Sequence, residues 1–155
     1  MSSNKLNLVC VDGSEHSDRA FSWYCKTLHR EGDTVGLVHI QQIPYMPIGL
    51  FEDGLLIDSA CQTAIEENIA ASKDVVEKYK SLCSEKQLKA VPFLQVCDDS
   101  VGYTICKIAK ENSADAIVIG QRGLGTIRRT LLGSVSDYVL HHSHIPTVVI
   151  PKEEK

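Results

Sequence analysis

The chain has 155 residues, of which 43% are hydrophobic and 23% charged, and its formal net charge is -4. A chain of this length can bury one hydrophobic core, so we expect a single domain over residues 1–155, without room for separate nucleotide and substrate domains. The acidic balance argues against sequence-independent nucleic-acid binding, which depends on lysine and arginine contacts with phosphates. No apolar run reaches the roughly 18 residues of a membrane span, and no signal-peptide pattern opens the chain, so a cytoplasmic location is expected.

The first third of the chain predicts a strand, a helix and a second strand. These elements are expected at Lys5 to Val11, at about Asp18 to Arg30, and at Thr34 to Ile40. Either Ser14 or Ser17 is placed to cap the helix, because a serine hydroxyl can accept a hydrogen bond from a first-turn amide. Proline and glycine residues then predict an irregular loop over residues 41–55. Its many apolar side chains must cover the core, a ligand or a partner, and the sequence does not choose among these.

The rest of the chain repeats the alternation, beginning with a long helix from about Asp58 to Ser84. Its apolar positions recur at spacings of four, four, seven, three and four, which places them on one stripe: Cys61, Ile65, Ile69, Val76, Tyr79 and Cys83. Pro92 indicates that the next strand lies near a sheet edge. The predicted elements are a strand Leu88 to Val96, a helix to about Glu111 capped by Asp98, Asp99 or Ser100, a strand Ala114 to Ile119, a helix Ser134 to His142, and a strand Thr147 to Ile150.

Strands that alternate with helices predict an α/β fold. Right-handed crossovers leave an open, doubly wound parallel five-stranded sheet in a three-layer sandwich. Such sheets bind ligands outside the carboxyl ends of their strands, where the strand order reverses. The segments to inspect are therefore Asp12-Gly13, the residues after Ile40, Asp98-Asp99, and Gly120 onward.

The segment from Gly120 to Ser136 has the composition of an anion-binding loop. It contains three arginines, Arg122, Arg128 and Arg129, and no acid, which gives it a local charge of +3. Glycines let successive amides point at one anion, and a helix start adds free amides and a partial positive charge. Neither a Walker A ending nor a complete GxGxxG pattern is present. The segment predicts a phosphate site of another type, with an ordinary turn and helix cap as the alternative.

The glycine spacing resembles the ATP-binding signature of the universal stress protein family. Gly120, two residues, Gly123, nine residues and Gly133-Ser134 match that signature without a departure. The resemblance covers nearly the whole chain, and it extends to the segments Leu8 to Ser14, Val38 to Ile40, Ser113 to Gly123, Leu132 to Val139 and His144 to Ile150. The chain is therefore similar to the ATP-binding subgroup of that family.

The resemblance implies a strand order of 3-2-1-4-5, an adenine-nucleotide site at the switch point of the sheet, and a homodimer formed through the last strand. By position it implies that Val11 and Asp12 face the ribose and adenine and that Ile40 packs on the adenine. It also implies that the ribose and phosphates are lined by Gly120, Arg122 and Gly123. The phosphate chain would be held by Gly133, Ser134, Val135 and Ser136. A carboxylate suits two ribose hydroxyls better than a polyphosphate, which supports the role of Asp12, with a helix cap as the alternative.

Three further features have two interpretations each. Asp98 and Asp99 could help to bind magnesium or could cap a helix, and the cap is favoured. His39 is expected to be a satisfied interior histidine, because no motif pairs it with a nucleophile. The apolar edge Val148 to Ile150 could pair with a second copy of the chain or be guarded by Pro146 and Pro151, and pairing is favoured.

The function expected from these features is a stress-response regulatory module that senses or buffers adenine nucleotide. ATP, possibly with magnesium, is the expected ligand, and AMP is an alternative. A slow ATPase or autophosphorylating phosphotransferase comes second, because no clear catalytic base is visible. A chaperone-like scaffold that works through the loop at residues 41–55 without nucleotide comes third.

Overall fold

The computed structural model describes residues 4–43, 50–51, 54–55, 59–121 and 132–153. Its main elements are β1 (Leu6–Cys10), α1 (Glu15–Trp23), β2 (Thr34–Gln41), α2 (Ser59–Glu85), β3 (Lys89–Val96), α3 (Val101–Glu111), β4 (Ala116–Gly120), α4 (Ser134–His142) and β5 (Thr147–Ile150). A π-helical turn, Tyr24–Leu28, follows α1 directly. No helix in the described part of the chain is both long and apolar enough to cross a membrane.

The five strands form one parallel sheet in the order β3-β2-β1-β4-β5. This order confirms the predicted 3-2-1-4-5 topology, and it places β3 at an edge, as Pro92 indicated. The chain reverses its direction of travel across the sheet between β1 and β4, which are neighbours. The carboxyl ends of β1, β2 and β4 therefore meet at the switch point of the fold.

Two hydrophobic layers hold the helices on opposite faces of the sheet. Successive side chains of a strand point to opposite faces, so Val9 packs with α1 and α2 whereas Leu8 packs with α3 and α4. On the first face, Phe21 of α1 and Tyr79 of α2 meet edge to face with ring centroids 5.4 Å apart. On the second face, Ile105 and Ile108 of α3 lie with Val139 of α4. The result is the predicted three-layer sandwich.

Helix α2 is longer than the strand on which it lies. Its 27 residues span about 40 Å, whereas the eight residues of β2 span about 26 Å. Val76, Tyr79 and Cys83 are buried against the sheet, but Ile69 is 38% exposed. The predicted apolar stripe is thus confirmed in the second half of the helix and wrong at Ile69, whose side chain is partly open to solvent.

Two boundaries differ from the sequence-based expectation. Helix α1 begins at Glu15 rather than Asp18, since the Ser14 hydroxyl is the cap and accepts a hydrogen bond from the Ser17 amide at 3.3 Å. Leu50–Phe51 and Gly54–Leu55 form a short antiparallel pair within the segment that was expected to be irregular, so that expectation is wrong there.

A buried polar cluster lies at the amino ends of the strands. The side-chain amide of Asn7, which is 3% exposed, donates to Tyr24 Oη and to Asp33 Oδ2, each at 3.3 Å. Tyr24 Oη also lies 2.9 Å from His29 Nδ1, and the backbone amide of Lys5 donates to Asp33 Oδ1 at 3.1 Å. Burial raises the pKa of Tyr24 to about 12, so its hydroxyl keeps its proton. The cluster joins β1 to the turn that precedes β2, at the end opposite the switch point.

Candidate functional site

A cavity of about 600 Å³ opens at the carboxyl ends of β1, β2 and β4. This volume is within the range of small-molecule sites. Its walls come from the strand ends, the first turns of α1, α3 and α4, and one face of α2. The described residues that line it include Cys10, Val11, Asp12, Ser14, His16, Ser17, His39, Ile40, Asn68, Ala71, Ser72, Val75, Gly120, Gly133, Ser134, Val135 and Ser136.

Eight predicted site residues line this one cavity. They are Val11, Asp12, Ile40, Gly120, Gly133, Ser134, Val135 and Ser136. The other two, Arg122 and Gly123, lie outside the described residues, as do Arg128 and Arg129. The sequence places these residues up to 125 positions apart, from 11 to 136, and the fold brings the described ones together because their strands end at the same edge of the sheet.

Asp12 both lines the cavity and shapes the turn into α1. Its Oδ1 accepts a hydrogen bond from the Ser14 amide at 2.9 Å and a very short one from the Ser14 hydroxyl. Gly13 between them has a φ of 80°, a left-handed conformation that favours glycine. Ser14 rather than Asp12 is the N-cap of the helix. The carboxylate of Asp12 is thereby held at the end of β1 by the residue that caps α1.

A hydrogen-bond network on α2 supports this turn from behind. Ser17 Oγ accepts from the Asp12 amide at 3.2 Å and lies 2.7 Å from Tyr79 Oη. Tyr79 and Lys78 donate to the same Asp18 oxygen, at 2.5 Å and 2.8 Å. Partial burial opposes ionisation of Asp18, but these two hydrogen bonds outweigh it and lower the pKa of its carboxyl. The network therefore ties α2 to the start of α1.

His39 and Ser72 form a hydrogen-bonded pair in the wall of the cavity. His39 Nδ1 lies 2.8 Å from the carbonyl oxygen of Val11, and its Nε2 lies 3.2 Å from Ser72 Oγ. A carbonyl oxygen can only accept, so Nδ1 carries the ring proton, and in that tautomer Nε2 accepts a hydrogen bond from the serine hydroxyl. The prediction that His39 is a satisfied interior histidine is confirmed. Its serine partner, however, was not indicated by any motif.

The first turn of α4 supplies the amides expected at the phosphate end. Gly133 is the N-cap, and its carbonyl accepts from the Asp137 amide at 2.9 Å. The amides of Ser134, Val135 and Ser136 precede Asp137, the first amide with an intrahelical acceptor, so they point out of the helix end. The Ser136 hydroxyl donates back to the Gly133 carbonyl at 3.0 Å, which stiffens the turn. This arrangement can bind an anion.

Two other groups near the strand ends have structural roles. Burial raises the pKa of the Cys10 thiol to about 12, with further contributions from Cys106 and Asp12, so Cys10 adds no negative charge to the cavity wall. Ser100 caps α3, and the Asp98 carboxylate pairs with Lys107 at 3.2 Å. The preferred interpretation of the acidic pair as side-chain caps is therefore wrong for Asp98, because the neighbouring serine takes that role.

Sequence reasoning missed the α2 wall of the cavity. Asn68, Ala71, Ser72 and Val75 are spaced three, one and three residues apart, as on one helix face. A signal was present: the apolar stripe has a spacing of seven between Ile69 and Val76, and Ser72 lies in that gap. A small polar residue within an apolar stripe indicates a helix face that adjoins a cavity rather than the core.

Comparisons with known proteins agree with this fold. The model of the Universal stress protein family matches residues 6–151, and the chain belongs to that family. A universal stress protein of Mycolicibacterium smegmatis is 29% identical over 150 residues, which is 96% of this chain and 48% of that protein. The chain spans about half the length of the curated relatives it matches.

Solved structures show the same fold at lower sequence identity. A universal stress protein family protein of Arabidopsis thaliana, At3g01520, with AMP bound, superposes with a TM-score of 0.69 at 20% identity and covers 96% of this chain and 92% of that one. A universal stress protein in complex with cAMP superposes with a TM-score of 0.66 at 20% identity and covers 96% of this chain and 98% of that one. The shared architecture is the parallel sheet with the order described above.

Proposed function

We propose that this chain is an adenine-nucleotide-binding module that senses or buffers nucleotide in a stress response, with ATP as its main ligand and AMP as the alternative. One observation carries the proposal: Asp12 and the amino end of α4 line a single cavity at the switch point of the sheet. A carboxylate at one side and free helix amides at the other suit the two ends of a nucleotide, its sugar hydroxyls and its phosphates.

The described residues fit each part of such a ligand. The phosphate chain would bind the amides of Ser134, Val135 and Ser136. Arg122 and Gly123, outside the described residues, stay predicted ligands by the family resemblance. The ribose would bind Asp12 beside Val11 and Gly120, and the base would pack on Ile40. Gly133 has an ordinary φ of -61°, so its backbone does not require glycine. Close approach of a phosphate accounts for the missing side chain.

The relatives support an adenine ligand, since one neighbour has AMP bound and another is in complex with cAMP. Magnesium would enter with the phosphate oxygens and water rather than through Asp98, whose carboxylate is already paired with Lys107. In this proposal the chain binds nucleotide as a single domain and does not depend on turnover.

We further propose that β5 pairs with a second copy of the chain. The carbonyl of Ile150 accepts from the Gln121 amide, so the even-numbered residues of β5 face β4, and the amides of Thr147 and Val149 point outward. At the opposite edge the Cys97 amide donates to Gln41, so the outward-facing positions of β3 are even-numbered and include Pro92. Proline has no amide proton, which makes β3 the poorer edge for pairing.

Calorimetric titration of the purified chain with ATP and AMP, with and without magnesium, tests the nucleotide proposal. We expect saturable binding at one site per chain, and weaker binding at high salt because screening reduces the attraction between cations and phosphate. Phosphate release is measured in the same samples, and release above a buffer blank would favour the slow ATPase instead. Heat signals no larger than those of dilution, for both nucleotides, would refute the proposal.

A further inference from the structure

We propose that Ser72, oriented by His39, selects the purine that carries an amino group at position 6 over one that carries an oxygen there. This inference deepens the proposed function and rests on it. It concerns a wall of the cavity that the glycine signature does not include.

A chain of hydrogen bonds determines which way the Ser72 hydroxyl points. The Val11 carbonyl, 2.8 Å from His39 Nδ1, requires the tautomer with the proton on that nitrogen, and in this tautomer Nε2 is an acceptor. Ser72 Oγ lies 3.2 Å from that nitrogen and donates its only proton to it. The lone pairs of the hydroxyl remain, so Ser72 offers the cavity an acceptor.

Because Ser72 is buried, the direction of its hydroxyl affects the free energy of ligand binding. His39 is 9% exposed and Ser72 is 5% exposed, and both line the cavity. Water has little access to repair a mismatched contact at such a position, so an acceptor opposed to another acceptor is costly. Adenine presents an amino donor at position 6, whereas hypoxanthine and guanine present a carbonyl oxygen. The acceptor at Ser72 therefore matches adenine and opposes the other two bases.

The neighbours of Ser72 on α2 leave this role to the serine. The Asn68 amide is already used, because its oxygen accepts from Gln41 at 3.2 Å and its NH₂ group donates to the Gln42 carbonyl at 3.1 Å. Ala71 and Val75 are apolar and can contact the faces or edge of a ring. The hydroxyl of Ser72 is thus the side-chain acceptor that this wall offers to a bound base.

The pair also has the atoms of a nucleophile and its base, but its position does not suit phosphoryl transfer. His39 extends toward α2, whereas α4 packs on the opposite face of the sheet. The amides that could stabilise a phosphoryl group are at the start of α4. Recognition of the base is the role that the placement of the pair supports.

Titration with three ligands tests the inference without changing the protein. Adenosine, purine riboside and inosine are used either as monophosphates or as triphosphates. The form is chosen by whether AMP or ATP binds more tightly in the first titration. We expect adenosine to bind best, purine riboside to lose one hydrogen bond, and inosine to bind about tenfold more weakly than adenosine because two acceptors then face each other.

Variants then assign the effect to the pair. In Ser72→Ala the three affinities should converge to within about threefold, while Ser81→Ala, the same change on the exposed face of the same helix, should keep the wild-type ratio. His39→Leu keeps the serine but frees its proton, so the adenosine to inosine ratio should also fall. Thermal unfolding of each variant distinguishes a loss of ligand discrimination from misfolding. A general loss of structure would weaken the binding of all three ligands equally.

Each remaining outcome overturns the inference. Equal binding of adenosine and inosine phosphates by the wild type would refute it and leave the proposed function standing. An unchanged ratio in folded Ser72→Ala would do the same. If none of the three ligands binds, the proposed function is refuted, and the inference with it.

Discussion

Gly120 lies against the backbone of His16, so closely that a β-carbon on Gly120 would stand 2.4 Å from the His16 carbonyl oxygen. The glycine that begins the phosphate signature is therefore also required by the packing of β4 against α1. We expect Gly120→Ala to lower the free energy of unfolding by about 1–3 kcal/mol, because backbone must shift to admit the methyl group. Urea unfolding measures this change, and a variant as stable as the wild type would contradict the packing role.

Gly133 should behave in the opposite way. Its φ of -61° and ψ of 153° are open to any residue, so Gly133→Val introduces no backbone strain. The added side chain would occupy the space proposed for a phosphate at the start of α4. We expect loss of detectable ATP binding in calorimetry with a melting temperature near that of the wild type. Retained affinity would show that the phosphate binds elsewhere.

The pair of Asp18 and Lys78 should contribute to stability only above the acid range. The Asp18 carboxyl ionises near its ordinary pKa of 3.8 in the unfolded chain and at a lower pH in the folded protein. Its contribution is therefore present above about pH 3.8 and is lost as the pH falls through the lowered value. The side chains are about half exposed, so the effect should not exceed about 1 kcal/mol.

Urea unfolding between pH 7 and pH 3 checks this dependence. Asp18→Asn should show a shallower acid decline than the wild type, whereas Asp74→Asn, at an exposed position on α2, should follow the wild-type curve. Identical curves for all three proteins would mean that the contacts of Asp18 with Lys78 and Tyr79 add nothing in solution.

The raised pKa of the Cys10 thiol predicts that the free energy of unfolding falls at alkaline pH. The thiol ionises near 9.0 in the unfolded chain, and burial raises its pKa to about 12 in the fold. Between these values the unfolded chain releases a proton that the folded chain keeps, so stability falls as the pH rises, by up to about 1.4 kcal/mol per pH unit. The slope of unfolding free energy against pH should become less steep in Cys10→Ala and stay unchanged in Cys97→Ala. Equal slopes would contradict the buried thiol.

The edge of β5 can be tested with a single proline. Val149→Pro removes an outward-facing amide and leaves the hydrogen bonds to β4 in place, since those come from the even-numbered residues. We expect the wild type to sediment as a dimer and this variant as a monomer. Leu94→Pro makes the same change at an outward position of β3 and should leave the dimer intact. A monomeric wild type, or a dimeric Val149→Pro, would refute pairing through β5.

The sequence predicted the sheet well because its strands carry their own signals. The run Ala116 to Ile119 is apolar on both faces, as a central parallel strand must be, and Pro92 marked an edge. The topology indicated which strand ends to inspect, and the family resemblance supplied the roles of the residues there. This is why Val11, Asp12, Ile40 and Gly120 could be placed at one site from spacing and resemblance.

The missed residues depend on contacts between distant parts of the chain. His39 and Ser72 are 33 positions apart, and their hydrogen bond depends on how α2 is rotated over β2. No local pattern specifies that rotation to within one residue. Likewise the reason for glycine at position 120 is the backbone of His16, which only tertiary packing brings near. Sequence patterns located the strand ends, and the packing of helices decided what surrounds them.

The polar cluster around Asn7 has a consequence for how the sheet chooses its alignment. The other residues of β1 are mostly aliphatic, and a β1 strand paired in the wrong register could still bury such side chains in the hydrophobic core. The carboxamide of Asn7 would then be stranded away from Tyr24 and Asp33, and each orphaned polar group would cost about 1–3 kcal/mol. The side-chain amide of Asn7 therefore favours the native register of β1 over the alternatives.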